Sequence, residues 1–183
     1  MKISWVFADD VEIDPTQDVA ELKRIGAFWG SWRTWRAYQT DNVVCHDQAK
    51  AAELLKRRFQ TYCNFYIPEQ VYNNLERPEG VRLYAGEFVH DVDRQEELVA
   101  MHLAATTSDI VLLLGFDLAK LQPNSDKLLA NRAQHHRNLI RQALTDYNNI
   151  QWVIVDHPDQ LDPNLSSLEN VATDTMTGIL TMN

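Results

Sequence analysis

The sequence has few cysteines and fewer basic than acidic residues. Its two cysteines, Cys45 and Cys63, lack Cys-x-x-Cys spacing and are too few for a disulfide scaffold, so we expect reduced thiols in a reducing compartment. The 17 basic residues are outnumbered by 26 acidic ones, which gives a formal charge of -9. Because phosphate contacts dominate nucleic-acid affinity, this charge argues against a general nucleic-acid-binding protein.

Long hydrophobic runs and the standard phosphate-binding motifs are also missing. The apolar stretch near Met1 turns acidic at Asp9, which is too early for a signal peptide, and no later stretch approaches the length of a membrane span. There is no Gly-x-Gly-x-x-Gly after the first apolar run and no Gly-x-x-x-x-Gly-Lys-Ser/Thr, so a dinucleotide fingerprint and a phosphate loop are both excluded. We expect a cytoplasmic protein with no membrane partner.

Short apolar runs that end in polar clusters are the main positive signal. Buried strands of a parallel sheet read in this way, and the stretches between the runs have helical periodicity. We therefore predict a single α/β domain over residues 1–183, a Rossmann-like three-layer α/β/α sandwich with a mainly parallel five-stranded sheet in the order 3-2-1-4-5. The five runs are Val6–Ala8, Val43–Val44, Leu83–Ala85, Val111–Leu114 and Val153–Val155.

Apolar residues at helical spacing predict the helices between these strands. The first follows Asp14-Pro15-Thr16 and places Val19, Leu22, Ile25 and Phe28 on one face. Further helices are predicted over residues 48–66, 68–75, 93–106, 128–147 and 168–180.

Polar residues at the predicted switch point form the first candidate site. In the order 3-2-1-4-5, strands one and four are neighbours, and ligands of open α/β sheets bind beyond the carboxyl ends of such strands. Asp9 and Asp117 are candidate catalytic residues there, and Asp10, Gly86, Gly115 and Phe116 are candidate ligand-binding residues. The carboxylates suit Mg²⁺ beside a phosphate-bearing ligand. The alternative is that these aspartates cap turns and stay solvated.

Histidines next to carboxylates form the second candidate site. His46 precedes Asp47, and His157 follows Asp156, each just after a predicted strand. A histidine oriented by a carboxylate acts as a general acid or base near neutral pH, so His46 and His157 are candidate catalytic residues. The alternative is a structural role, because Asp47 lies where a helix N-cap is expected.

The segment 28–38 has the most unusual composition in the chain. It interleaves three tryptophans with Arg33 and Arg36, and on a helix Trp29, Trp32 and Arg36 would share one face. Such a face suits stacking of a base or sugar and binding of a phosphate. It equally suits a homomeric or partner interface, and the rings could instead pack in the core.

A third group of polar residues lies on the predicted helix 128–147. His135 and His136 are adjacent, which is not the three- or four-residue spacing of metal ligands on a helix. Arg137 and Arg141 are one turn apart and project together with the other basic residues. We interpret this group as a solvated basic face without a catalytic role.

The C-terminal part of the chain resembles a group of viral proteins. The segment Ser108–Leu118, a polar loop, a long helix with Arg132–Asn138, and Asn148–Val153 are together similar to uncharacterised proteins encoded by tailed bacteriophages. The resemblance covers roughly the last 75 residues. It implies a Rossmann-like phage protein of unassigned activity that acts in the cytoplasm of the host bacterium.

Two functions from different classes follow from these patterns. The first is a protein that binds or processes a nucleotide, nucleoside or sugar phosphate at the carboxyl edge of the sheet, with Arg33 as an anion contact. The second is a non-catalytic interaction protein that uses segment 28–38 for dimerisation or docking to a partner. Fold analogy alone does not choose between them.

Overall fold

One parallel sheet organises the molecule. The computed structural model describes residues 1–9, 11, 19–84, 95–116, 118, 127–155 and 162–181. Within these residues, all strand pairs are parallel and the spatial order is β5-β4-β3-β2-β1-β6-β7-β8. The strands are β1 (Ile3–Phe7), β2 (Ala27–Ser31), β3 (Asn42–Val44), β4 (Asn64–Pro68), β5 (Val81–Tyr84), β6 (Ile110–Leu114), β7 (Gln151–Val155) and β8 (Val171–Asp174).

Helices cover both faces of this sheet. Helices α5 and α6 pack on one face, whereas α1, α3, α4 and α8 pack on the other. The protein therefore has the Rossmann-like doubly wound α/β architecture that the sequence predicts. The helices are α1 (Val19–Ile25), α2 (Trp32–Tyr38), α3 (Gln48–Lys56), α4 (Glu69–Asn74), α5 (Gln95–Ala105), α6 (Lys127–Asp146), α7 (Pro163–Ser166) and α8 (Met176–Thr181).

The predicted strand order is correct for the five predicted strands, but the predicted number of strands is too low. Those five are β1, β3, β5, β6 and β7, and they follow one another in the predicted order across the sheet. The structure inserts β2 and β4 between them and adds β8 at one edge. Each added strand joins a helix within one or two residues, so the periodicity of its apolar residues merges with that of the neighbouring helix.

Three predicted helices are too long for the same reason. The first ends at Ile25, because Gly26 approaches the backbone of β1 and the chain then pairs with it as β2. The helix predicted over 48–66 ends at Lys56, and Arg58 follows in a left-handed conformation with φ 56°. The helix predicted over 168–180 is divided into β8 and α8.

Helix α5 is buried in the interior of the protein. This helix lies across β1, β2 and β3 and also contacts α6. Six consecutive residues, 96–101, are buried, so the helix is enclosed on nearly every side rather than along one stripe. The first two of these residues are glutamates, and their burial creates the site described below.

The switch point of the sheet lies between β1 and β6. These strands pair along their whole length, while the strands that follow them in the chain, β2 and β7, lie on opposite sides of the pair. The Ala8 amide donates to the Leu114 carbonyl at 3.0 Å, which extends the pairing to the carboxyl edge. Gly115 has φ 80° there, and a side chain on it would overlap Val11. None of the helices in the described part of the chain is long and apolar enough to cross a membrane.

The close approach of Gly26 to β1 gives a stability prediction. A methyl group at this position would overlap the Ile3 carbonyl oxygen, which cannot move without disturbing strand β1. We expect Gly26→Ala to lower the free energy of unfolding by about 1–3 kcal/mol, as overpacking does. Urea denaturation measures this change.

Gly178→Ala is the matched control. Its added methyl group would meet only the Asp174 carboxylate, a side chain that can rotate away. Gly178 lies inside α8, where alanine is favoured over glycine by up to about 1 kcal/mol, so we expect no loss of stability. Equal effects of the two substitutions would contradict the proposed role of Gly26.

Candidate functional site

Two buried glutamates at the start of α5 form the centre of the candidate site. Glu96 and Glu97 are 4% and 5% exposed and lie over the carboxyl ends of β1 and β3. The first turn of a helix favours negative charge because of the helix dipole and its unpaired amide groups. A buried carboxylate nevertheless needs partners, because burial of an unpaired charge costs several kcal/mol, on the order of the values found for buried ions.

Glu96 contacts two nitrogen atoms of His46. Glu96 Oε1 accepts a hydrogen bond from the His46 backbone amide at 3.0 Å, and the same oxygen lies 3.3 Å from His46 Nδ1. His46 follows strand β3, and the next residue, Asp47, is the N-cap of α3, as the alternative interpretation predicted. The result is an imidazole oriented by a buried carboxylate at the carboxyl edge.

Glu97 joins three elements of the fold. Its Oε2 accepts a hydrogen bond from the Asp9 backbone amide at 3.0 Å, just after β1. Its Oε1 lies 2.8 Å from Nε2 of His136 on α6. Both partners are far from Glu97 in sequence, so this carboxylate fixes α5 to the central strand and to the neighbouring helix.

Asp9 connects the glutamate pair to the surface. Its Oδ2 lies 2.7 Å from Nη1 of Arg33, whose side chain is 53% exposed, whereas the Asp9 side chain is only 11% exposed. The other oxygen, Oδ1, is buried and has no hydrogen-bond partner among the described residues. A buried carboxylate oxygen in this state retains full capacity to accept a hydrogen bond.

Cys45 and Tyr84 lie on the other side of Glu96. Burial, and then the negative charge of Glu96, raise the pKa of the Cys45 thiol and of the Tyr84 hydroxyl well above their usual ranges. The Tyr84 hydroxyl is buried and has no hydrogen-bond partner within the part of the chain that the structure describes. Because thiolate is the reactive form of cysteine, Cys45 is unsuited to act as a nucleophile.

The site residues that were predicted from the sequence, and that the structure describes, lie in different environments. The backbone amide of Asp9 donates to Glu97, that of His46 donates to the adjacent Glu96, and Arg33 contacts the Asp9 carboxylate. Gly115 is exposed beside them at the end of β6, whereas the ring of Phe116 is buried in the core. Candidates Asp10, Gly86, Asp117 and His157 lie outside the described residues.

Segment 28–38 is not a single helix. Trp29 belongs to β2, is buried and donates its indole N–H to Ser4 Oγ at 3.2 Å, so the predicted helical face of Trp29, Trp32 and Arg36 is wrong for Trp29. Trp32 and Trp35 lie on α2 and are half-buried against the core beneath α3. Arg36 is exposed beside Trp32. Core packing, one of the predicted alternatives, is confirmed for Trp29.

Sequence reasoning missed the glutamates and His136. Glu96 and Glu97 precede the run Leu98–Met101, which is too apolar for a surface helix, and this composition was the available signal that they are buried. His136 is four residues before the buried Ile140, so it lies on the inner face of α6. The predicted solvated basic face is therefore wrong for His136, and it is also wrong for Arg137, which is only 8% exposed.

The predicted Mg²⁺ site stays a prediction. Among the described residues, no three or more histidine, cysteine, aspartate or glutamate side chains are grouped as a metal would require. Two of the predicted ligands, Asp10 and Asp117, are outside that part of the chain.

Because comparisons with known proteins give no match, the function is inferred below from the geometry of the candidate site. The chain has no significant match among models of protein families, curated protein sequences or solved structures.

The environment of the two thiols gives a labelling prediction. Burial and the charge of Asp41 raise the pKa of Cys63 to about 12, and the pKa of Cys45 is raised further. We expect both native thiols to react with a disulfide reagent at pH 8 about a hundredfold or more slowly than in urea-unfolded protein, since the thiolate is scarce. Stopped-flow absorbance with Cys45→Ser and Cys63→Ser variants separates the two rates. Rapid native labelling of Cys45 would contradict the buried environment beside Glu96.

The contact between Glu97 and His136 gives a second prediction. We expect a double-mutant cycle of Glu97→Gln and His136→Gln to yield a coupling free energy of about 0.5–3 kcal/mol, as contacting polar residues do. Chemical denaturation at pH 7 measures the three variants against the wild type. The matched control is Glu69→Gln, an exposed glutamate in the first turn of α4, for which we expect a change within about 0.5 kcal/mol. Additive effects of Glu97→Gln and His136→Gln would show that the two side chains do not interact.

Proposed function

We propose that this protein binds a nucleotide, nucleoside or sugar phosphate at the carboxyl edge of its sheet, where β1, β3 and β6 end. The observation that carries the proposal is the state of Asp9. Its carboxylate is nearly buried and contacts Arg33 through one oxygen, yet the other oxygen has no hydrogen-bond partner in the described part of the molecule. Catalysis on the bound compound is a second step of the proposal, in which His46 is the acid–base group.

Position in the fold supports this proposal. In open α/β sheets, ligands bind in the crevice beyond the carboxyl ends of the strands, where connections diverge to opposite sides. Asp9 follows β1 directly at that point, and the exposed Gly115 follows β6 beside it. Gly115 carries no side chain, so the backbone of this neighbouring strand end leaves space for a ligand to approach.

The chemistry of the side chains supports the ligand class. Carboxylate oxygens accept hydrogen bonds from sugar hydroxyl groups, and an acidic residue beyond a strand commonly holds a ribose in this architecture. Asp9 is suited to that role, because Oδ1 has no hydrogen-bond partner among the described residues and a rotation of the side chain would present it to a sugar hydroxyl. Arg33 supplies positive charge at the mouth of the site, which suits a ligand that also carries an anionic group.

The pairing of His46 with Glu96 supports an acid–base role. A buried carboxylate beside one imidazole nitrogen restricts the orientation of the ring. The His46 backbone amide donates to Glu96, and His46 Nδ1 lies 3.3 Å from the same Glu96 oxygen. His136 has a similar relation to Glu97, but it lies on α6 behind that glutamate and we assign it a positioning role.

The alternative function, docking through segment 28–38, has weaker support. It requires exposed tryptophan rings, whereas Trp29 is buried and Trp32 and Trp35 are half-buried. The exposed groups of this segment include Arg33 and Arg36. Cationic groups at the surface favour an anionic ligand over an apolar partner.

A thermal-shift screen tests the proposed function. The wild-type protein is tested against nucleotides, nucleosides and sugar phosphates, with and without Mg²⁺. A compound that binds the native state alone at a hundred times its Kd adds about 2.7 kcal/mol of stability, which corresponds to a rise of several degrees in Tm. We expect such a rise for at least one compound and its loss in Asp9→Asn, which keeps the side-chain size and removes the charge.

Asp109→Asn is the matched control for this screen. Asp109 precedes β6 at the opposite, amino edge of the sheet, and its side chain is 65% exposed. We expect this variant to keep the full ligand-induced shift. A wild type that responds to none of the compounds would overturn the proposed function, as would a response that survives in Asp9→Asn.

A further inference from the structure

A cluster of cations surrounds the indole ring of Trp32. Lys50 Nζ lies 4.2 Å from the ring centre, and the guanidinium carbons of Arg36 and Arg33 lie 5.4 and 5.5 Å from it. The three side chains come from α2 and from the first turn of α3. The ring orders all three through cation–π attraction. We call these four residues the Trp32 cluster.

The Trp32 cluster gathers positive charge in an acidic chain, although two of its members also contact carboxylates. Lys50 is 2.8 Å from Glu53, which also pairs with Arg57, and the hydrogen bond from Lys50 is the main cause of the lowered pKa of Glu53. Arg33 is paired with Asp9. The Lys50 backbone amide also donates to the Asp47 carboxylate. Three cations are thus gathered around one ring in a chain whose formal charge is -9.

Holding like charges together favours an anion between them. Cations gathered around one ring repel one another, and a multivalent anion relieves this repulsion while it forms charge-assisted hydrogen bonds. Arginine and lysine together provide both the fork geometry and the point charge that bind phosphate oxygens. The overall acidity of the chain disfavours a long polyanion such as nucleic acid, so the occupant suited to this cluster is a small one.

Arg33 belongs to both the Trp32 cluster and the carboxylate site. Nη1 of Arg33 contacts Asp9 Oδ2, and the same guanidinium lies over the Trp32 ring. We propose that the Trp32 cluster is the phosphate subsite of the carboxyl-edge site, so that the preferred compounds are phosphate monoesters of a sugar or nucleoside. This inference rests on the proposed function and restricts its ligand class. Asp9 receives a sugar hydroxyl, and Arg33, Arg36 and Lys50 receive the phosphate.

Matched pairs of compounds test this inference by isothermal titration calorimetry. The pairs are adenosine with AMP and ribose with ribose 5-phosphate, and inorganic phosphate is titrated separately. We expect the phosphorylated member of at least one pair to bind about tenfold or more tightly than its partner, as a charge-assisted contact allows. The preference should decrease as salt is raised, since the cluster is at the surface.

Two single substitutions separate this subsite from the rest of the site. Arg36→Gln and Lys50→Gln each remove one cation from the Trp32 cluster without touching Asp9. We expect each to weaken binding of the phosphorylated compound about fivefold to tenfold and to leave the unphosphorylated partner unchanged. The matched control is Lys56→Gln, an exposed lysine on α3, which should change neither affinity.

The remaining outcomes distinguish failure of the phosphate subsite from failure of the proposed function. Equal affinity for both members of each pair, with no effect of Arg36→Gln or Lys50→Gln, would overturn the phosphate subsite and leave the proposed function standing. Binding of none of these compounds would overturn both. Inorganic phosphate that binds as tightly as AMP, or an oligonucleotide that binds more tightly, would overturn the assignment to a sugar monoester.

Discussion

The burial of two carboxylates at the start of α5 is the constraint that shapes the carboxyl edge of the sheet. Glu96 and Glu97 leave water because the rest of α5 is apolar and lies between the sheet and α6. Their negative charge must then be met from inside the protein. Two backbone amides at strand ends donate hydrogen bonds to them, and the imidazoles of His46 and His136 lie beside them, so the start of α5 is packed against α6 and against the carboxyl ends of β1 and β3.

Sequence periodicity predicts the strongest elements of the fold and misses the weakest. Strand β6 is predicted because five consecutive apolar residues have no helical alternative, and its neighbours in the sheet follow from the α/β alternation. Strand β2 contains Gly30 and adjoins α1 and α2, so local signals favour a helix there. Only pairing with β1 and β3 makes it a strand, and such pairing is a tertiary effect that local propensity does not contain.

The candidate site likewise has residues that the sequence predicts and residues that it does not. Asp9 and His46 are predictable because each follows an apolar run, and strand ends of a parallel sheet converge at one edge. Glu96 lies 50 residues from its partner His46, and Glu97 lies 88 residues from Asp9. Acidic residues in the first turn of a helix are usually exposed, so their burial follows from how α5 crosses the sheet and not from their local sequence.

The distribution of charge around Asp9 limits what the site can bind. Carboxylates lie on its inner side, where water is excluded, and cations lie on its outer side around Trp32. A ligand with anionic groups at both ends would place one of them against Glu97, and a neutral ligand would leave the repulsion among the cations unrelieved. A molecule with hydroxyl groups at one end and a phosphate at the other avoids both costs. The polarity of the site therefore favours the same ligand class as its position in the sheet.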